Sequence, residues 1–165
     1  EAGEEPPLMT IQARDGRAVP LAAGICFEAA YPLVIGNGVT RGGQAIVVPS
    51  NNYHFRSSGE SAQQGQLLRM RAMEYSRSAV QASTTGHSYV IRPDGSILAS
   101  TGTEEAATLA ADIPLRTSQT LTALAGERIP GAVMVATLII AILTTVTVIG
   151  QGIRASARAR RASSR

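Results

Sequence analysis

The longest uninterrupted apolar run lies near the end of the chain. Ile129 to Ile153 is 25 residues without a charge, and Ala132 to Ile149 holds only Ala, Val, Met, Leu, Ile and Thr. At about 1.5 Å rise per residue, such a run exceeds the ~30 Å hydrocarbon core of a bilayer. It predicts a transmembrane helix over residues 129–150. A buried core helix is ordinarily shorter and carries a polar face. The threonines at 137, 144, 145 and 147 are compatible with lipid, because a helical hydroxyl can bond back to a carbonyl one turn earlier.

Upstream the apolar runs are short and change period. Leu8 to Ala13 and Ala18 to Ile25 flank Asp15-Gly16 and predict two strands joined by a tight turn. Ala29 to Ile35 predicts a short helix closed by Gly36-Asn37-Gly38, and Ala45 to Val48 a strand buried on both faces and broken by Pro49-Ser50-Asn51-Asn52. Ser61 to Ser78 has helical spacing, with Leu67, Leu68, Met70, Ala72 and Met73 as its apolar positions and Glu60 near its start. Residues 79–83, 88–92, 96–99 and 108–113 then predict short strands, with Pro93-Asp94-Gly95 as a hairpin turn. Strands interleaved with helices give an α/β domain over residues 1–125, followed by the helix at 129–150 and a basic tail at 151–165.

Charge alters this picture at the tail. All 15 basic residues are arginine, and Arg154, Arg158, Arg160, Arg161 and Arg165 fall in the last stretch, leaving ten against twelve Asp and Glu. With only Arg128 just before the helix, the positive-inside rule places the C-terminus in the cytoplasm and the α/β domain outside the cell membrane. Nucleic acid is excluded as a partner, because the folded part has no basic patch interleaved with aromatics. The first residue is Glu1, and no basic-then-apolar signal peptide follows it, so the chain reads as part of something longer.

Cys26 is the only cysteine, which leaves a buried small hydrophobe or a reactive thiol. In Gly24-Ile25-Cys26-Phe27-Glu28 an apolar strand delivers the thiol to its carboxyl end, where sites of α/β sheets collect and turn N–H groups can hold an oxyanion. A thiol of pKa near 8.5 needs a base or a positive neighbour at neutral pH, and none is adjacent in sequence. His54 and His87 are the only histidines and lack acidic or Cys neighbours at ligand spacing, so no metal is expected.

Five segments in order carry a resemblance: Cys26-Phe27-Glu28 after a strand, Pro49-Ser50-Asn51-Asn52, Arg69-Met70-Arg71-Ala72-Met73-Glu74, Gly86-His87-Ser88 and Arg92-Pro93-Asp94-Gly95-Ser96. Over residues 8–113 they resemble the carbon–nitrogen hydrolase (nitrilase) superfamily. With the terminal helix they are similar to its membrane-bound branch, the bacterial apolipoprotein N-acyltransferases. The resemblance implies a partial α-β-β-α sandwich followed by one transmembrane helix, and a Glu-Lys-Cys triad with Cys26 as nucleophile. It further implies a phospholipid acyl donor, a Cys26 thioester and an apolipoprotein amine acceptor, without cofactor or metal. The chain has no lysine. The triad's Glu and Lys precede the Cys in that family, so these 165 residues alone are expected to be inactive; Glu4 and Glu5 lie too near Cys26 to be the base.

Around the nucleophile, Phe27 offers its backbone N–H as oxyanion donor or simply packs, and Glu28 is a supporting carboxylate or a helix cap. Asn51 and Asn52 line the substrate site or only shape a turn. Arg71 and Glu74, at i and i+3, form a structural ion pair. Tyr53 and Phe55 could dip into lipid. Two other functions share these residues: a membrane-tethered amidase that passes the acyl group to water, and a non-catalytic extracytoplasmic binding domain.

Overall fold

The turn at Asp15-Gly16 forms as the pattern requires, with Gly16 at φ +82°, and it joins β1 (Leu8–Gln12) to β2 (Ala18–Ala23) antiparallel. This structure is a computed structural model that describes residues 5–55, 58–126 and 128–163, with side chains as far as Gly152. Glu4, Arg165 and the side chains of the tail arginines therefore lie outside the described residues. The chain divides into two units, Glu1–Gly126 and Glu127–Arg165.

The first unit is built on a six-stranded sheet of order β1-β2-β3-β4-β5-β6, with β3 at Ile46–Ser50, β4 at Ala79–Ser83, β5 at Tyr89–Ile91 and β6 at Ile97–Ser100. β2, β3 and β4 run parallel, and the outer pairs are antiparallel. Each parallel step needs a crossover: α1 (Pro32–Thr40) links β2 to β3, and α2 (Glu60–Tyr75) links β3 to β4. Two successive crossovers of the favoured right hand put both helices on one face. There Ile35 and Val39 of α1, Leu68, Ala72 and Tyr75 of α2, and Ala123 of α3 (Leu121–Ala125) close on Ala22, Ile46, Val48, Ala79 and Ile91 of the sheet.

The other face carries Leu21, Ala23, Val47, Pro49, Val80, Ala82 and Val90, the alternate positions of the same ladders. It is apolar as well, and α1, α2 and α3 all join the core on the first side. One helix layer and a sheet apolar on both faces make up half of an α-β-β-α sandwich, the α/β class expected from the sequence.

Four local expectations are corrected. The first helix does not span Ala29–Ile35: Cys26–Ala30 is a 3₁₀ turn and α1 runs from Pro32 through the glycines to Thr40. Gly36 does not stop it, because Gly36 is there for space; a Cβ at that position would lie 2.5 Å from the Tyr75 hydroxyl. Pro49 does not break β3, since its missing N–H faces the side where β2 has ended. Residues 108–113 join no ladder; this Ala-rich stretch has little β-propensity and is held beyond its end, where Pro114 O accepts from Ser78 Oγ. Finally, α2 ends at Tyr75 on a left-handed Ser76, and Met70 and Met73 are about half exposed. Its buried stripe is Ser61, Gln64, Gly65, Leu68, Arg71, Ala72 and Tyr75, far more polar than the expected one.

Tyr75 donates its hydroxyl to Pro32 O at 2.8 Å. Burial, aided by the Glu74 charge and opposed by Arg71, pushes its phenol up to about 12. Arg71 and Glu74 do form the anticipated ion pair, 2.9 Å apart. Arg77 is fully buried without a carboxylate and donates instead to the carbonyls of Gly43, Tyr75, Ser76 and Ser118.

In the second unit, α4 runs from Arg128 to Ser163. Residues Arg128–Gly152, with a mean hydropathy of 2.6 over their most apolar 18 residues, are long and apolar enough to cross a membrane. Thr137 donates to Val133 O, Thr145 to Ala141 O and Thr144 to Ile140 O, each at 3.0 Å or less, so the hydroxyls are satisfied within the helix as the sequence required.

Candidate active site

The site begins where β2 stops. Gly24 N–H donates to Val47 O at 3.0 Å, and the next rung of a parallel ladder would be a bond from residue 49 to Gly24 O. Residue 49 is proline and has no hydrogen to give. The chain leaves the sheet there, through Ile25 to Cys26, which has a left-handed φ of 51°. That conformation costs an L-residue roughly 1–2 kcal/mol and is characteristic of strained functional turns. Glu28 clamps the turn: its Oε2 accepts from Ile25 N–H at 2.7 Å, and its own N–H donates to Ile25 O at 3.0 Å. The Glu28 carboxylate thus caps the turn that presents Cys26. The thiol is half-buried and, among the described residues, has no hydrogen-bond partner. Phe27 is 56% exposed and meets Tyr31 edge to face at 6.0 Å. Its N–H lies in the first turn of the 3₁₀ segment, where backbone donors have no intrahelical acceptor.

The other sequence-singled residues gather at the same end of the sheet, beyond β3 and β4. Asn51 is exposed; its Oδ1 accepts from Tyr53 N–H and from the Thr84 hydroxyl, so it ties one loop to the next. Asn52 is 2% exposed and donates from Nδ2 to Ser61 Oγ at 2.9 Å, while its Oδ1 has no partner. Ser61 Oγ also accepts from His87 N–H, and a Cβ on Gly86 would sit 2.3 Å from that oxygen. His87 Nδ1 lies 2.9 Å from Thr101 O and its ring tilts against Tyr89, whose phenol burial pushes up, with Arg69 opposing. His54 stacks edgewise on Tyr53 in a short 3₁₀ turn at Tyr53–Phe55. The structure therefore brings Asn52 and His87 into one buried network and leaves His54 outside it.

Between that turn, Phe27 and the start of α2 lies a cavity of about 320 Å³, lined by Phe27, Phe55, Glu60, Gln63, Gln64 and Leu67. Gln64 donates from Nε2 to Ser50 Oγ, and its buried Oε1 has no partner. Sequence reading missed this wall. Glu60, Gln63, Gln64 and Leu67 stand at i, i+3, i+4 and i+7, one face of a helix, but a mostly polar face carries no hydrophobic periodicity to mark it.

The carbon–nitrogen hydrolase family matches residues 2–123 of the chain. The chain is 37% identical over 128 residues to the apolipoprotein N-acyltransferase of Mycolicibacterium smegmatis, covering 76% of itself and 21% of that protein. It is 36% identical over 126 residues to the apolipoprotein N-acyltransferase of Rhodopseudomonas palustris, covering 76% of itself and 23% of that protein. The chain thus spans about a fifth of the length of these curated relatives. A solved structure of a variant of the amidase from Nesterenkonia sp. AN1 is 25% identical, with a TM-score of 0.49 over 62% of this chain and 39% of that one. With a family match that covers both the Cys26 turn and the whole mixed sheet, the chain belongs to the carbon–nitrogen hydrolase family.

Proposed function

We propose that this chain carries the nucleophile and a membrane anchor of a lipoprotein N-acyltransferase. The observation that supports it most is Cys26 itself: a half-buried thiol on a left-handed turn at the carboxyl end of a parallel strand. Its thiolate attacks the ester carbonyl of a phospholipid acyl chain, and the alcohol leaves with a proton. The resulting thioester keeps the acyl group activated for a poorer nucleophile. The amine of a diacylglyceryl-cysteine lipoprotein then forms the amide bond as the C–S bond breaks. Phe27 N–H faces the developing oxyanion, and Glu28 holds the turn that positions both. Asn52 supports the wall of the site through Ser61, and Asn51 fixes the loop beside it.

The chain has no lysine. The Lys and general-base Glu of the family's triad come from outside these residues, as does the remainder of the enzyme. The apolar helix anchors the domain in the cell membrane, with the domain outside and the tail in the cytoplasm.

The test is Cys26→Ala in the full-length protein that contains this chain. N-acylation of a diacylglyceryl-cysteine peptide should fall by roughly four orders of magnitude or more. Mass spectrometry should find an acyl adduct on Cys26 of the unmodified enzyme incubated with phospholipid alone. Unchanged acylation in the variant would remove the mechanism.

A further inference from the structure

The first unit ends on the short helix α3, whose two faces differ sharply. Inward, Ala123 is buried and joins the core. Its N–H donates to Thr120 Oγ1 at 3.2 Å, and the same hydroxyl donates to Glu74 O at 2.7 Å, so α3 is fixed to the end of α2. Gly126 N–H closes it on Thr122 O at 2.8 Å. Outward, Leu121 is 81% and Leu124 64% exposed. A cavity of about 390 Å³ separates α1 from α3, and there Leu33, itself more than half exposed, shares the lining with Thr122. Three large leucines held in water on a firmly docked element mark an interaction surface.

Chain length says what that surface meets. Only Gly126 and Glu127 separate Ala125, the end of α3, from Arg128, the start of α4. Three residue steps reach at most about 11 Å even when fully extended, a bound that holds for any arrangement of the two units. Arg128 opens the apolar stretch of 25 residues, which is about 37 Å of helix. A bilayer has a hydrocarbon core of ~30 Å and a full thickness of about 40–45 Å, so a spanning α4 puts Arg128 among the headgroups. We propose that the outward face of α3, Leu121 and Leu124 with Leu33 beside them, lies on that same bilayer, its leucines reaching the boundary between headgroups and acyl chains. The proposal rests on the reading of α4 as a membrane anchor and adds which surface of the domain meets lipid. Apolar side chains at this depth bind the interface in proportion to the area they bury. A single spanning helix leaves an attached domain free to tilt about the join, and a second contact of this kind removes that freedom. The Cys26–Ala30 turn, which ends three residues before Leu33, is then carried at a fixed height over the phospholipid.

The test uses the full-length protein that contains this chain, in a Cys26→Ala background without other reactive thiols, rebuilt into vesicles of phosphatidylethanolamine and phosphatidylglycerol. A thiol-reactive bimane is placed singly at Leu121→Cys, Leu124→Cys and Val146→Cys, all exposed positions where a reporter disturbs no core. Lipid with a spin label high on its acyl chain should quench most of the emission at 121 and 124, and iodide in the buffer should not. Lipid with the label deep in the chain should quench position 146. Loss of lipid quenching at either 121 or 124, while 146 keeps it, overturns the surface: quenching by iodide instead shows that the leucines face water, and quenching by neither shows that another part of the protein covers them. Absence of lipid quenching at 146 overturns the membrane reading of α4 itself, and this surface with it.

Discussion

The two ends of the parallel strands differ in how their loops are held. At the amino ends Arg77 and Ser78 are paired across the fold. Arg77, just before β4, gives its guanidinium to four carbonyls, including Gly43 ahead of β3 and Ser118 in the segment that follows the sheet. Ser78 beside it donates to Pro114 O. At the carboxyl ends the accounts stay open. Asn52 Oδ1, Gln64 Oε1 and Thr85 Oγ1 are buried without partners, and Cys26 sits in a left-handed backbone with a free thiol. Natural proteins leave few such groups, and these three lie at the same end of the sheet as the Cys26 turn. Long-range side-chain bonds tie the fold together at the end opposite Cys26.

Substitutions can break that contrast. The largest effect is expected from Arg77→Met: several buried carbonyls lose their only strong donor, and stability should fall by roughly 3–5 kcal/mol. Thermal unfolding in detergent would show it, while any surviving folded protein should still form the Cys26 thioester. Gly36→Ala comes next, because its Cβ would meet the Tyr75 hydroxyl at 2.5 Å. Overpacking of this kind costs about 1–3 kcal/mol, and adding Tyr75→Phe should restore part of it by removing the clashing oxygen. Non-additivity in that pair would be the measured sign of the contact. Gln64→Met should be the mildest. It loses the bond to Ser50 but also removes an orphaned acceptor, so stability should change by under about 1 kcal/mol. A drop as large as that of Arg77→Met would erase the distinction between the two ends.

Much of this was legible in the residues. The turn at Asp15-Gly16, the apolar helix and its self-satisfied threonines, and the Arg71–Glu74 pair all follow from local rules that need only a few neighbours. What could not be read depended on partners distant in sequence. Gly36 looks like a helix stop until Tyr75, on another helix, is packed against it. Met70 and Met73 look buried until Arg71 and Gln64 are found to occupy the inward stripe. Residues 108–113 read as a short strand, yet no ladder among the described residues accepts them. At the site, Cys26-Phe27-Glu28 announced itself by composition and position. The carboxylates and amides of the cavity did not, because polar residues on a helix ordinarily face water.

Pro49 has a larger part than its place in one strand suggests. A parallel ladder grows rung by rung, and each rung invites the next. By lacking a single hydrogen where Gly24 O would seek one, Pro49 sets the length of its neighbour β2, and so determines that the following residues are released rather than zipped into the sheet. Were residue 49 able to donate, the lowest-energy course for Ile25 and Cys26 would be to extend the strand, with the sulfur fixed on a sheet face as one more packing atom. The release of this chain's one thiol from the sheet is therefore decided on the adjacent strand, by Pro49.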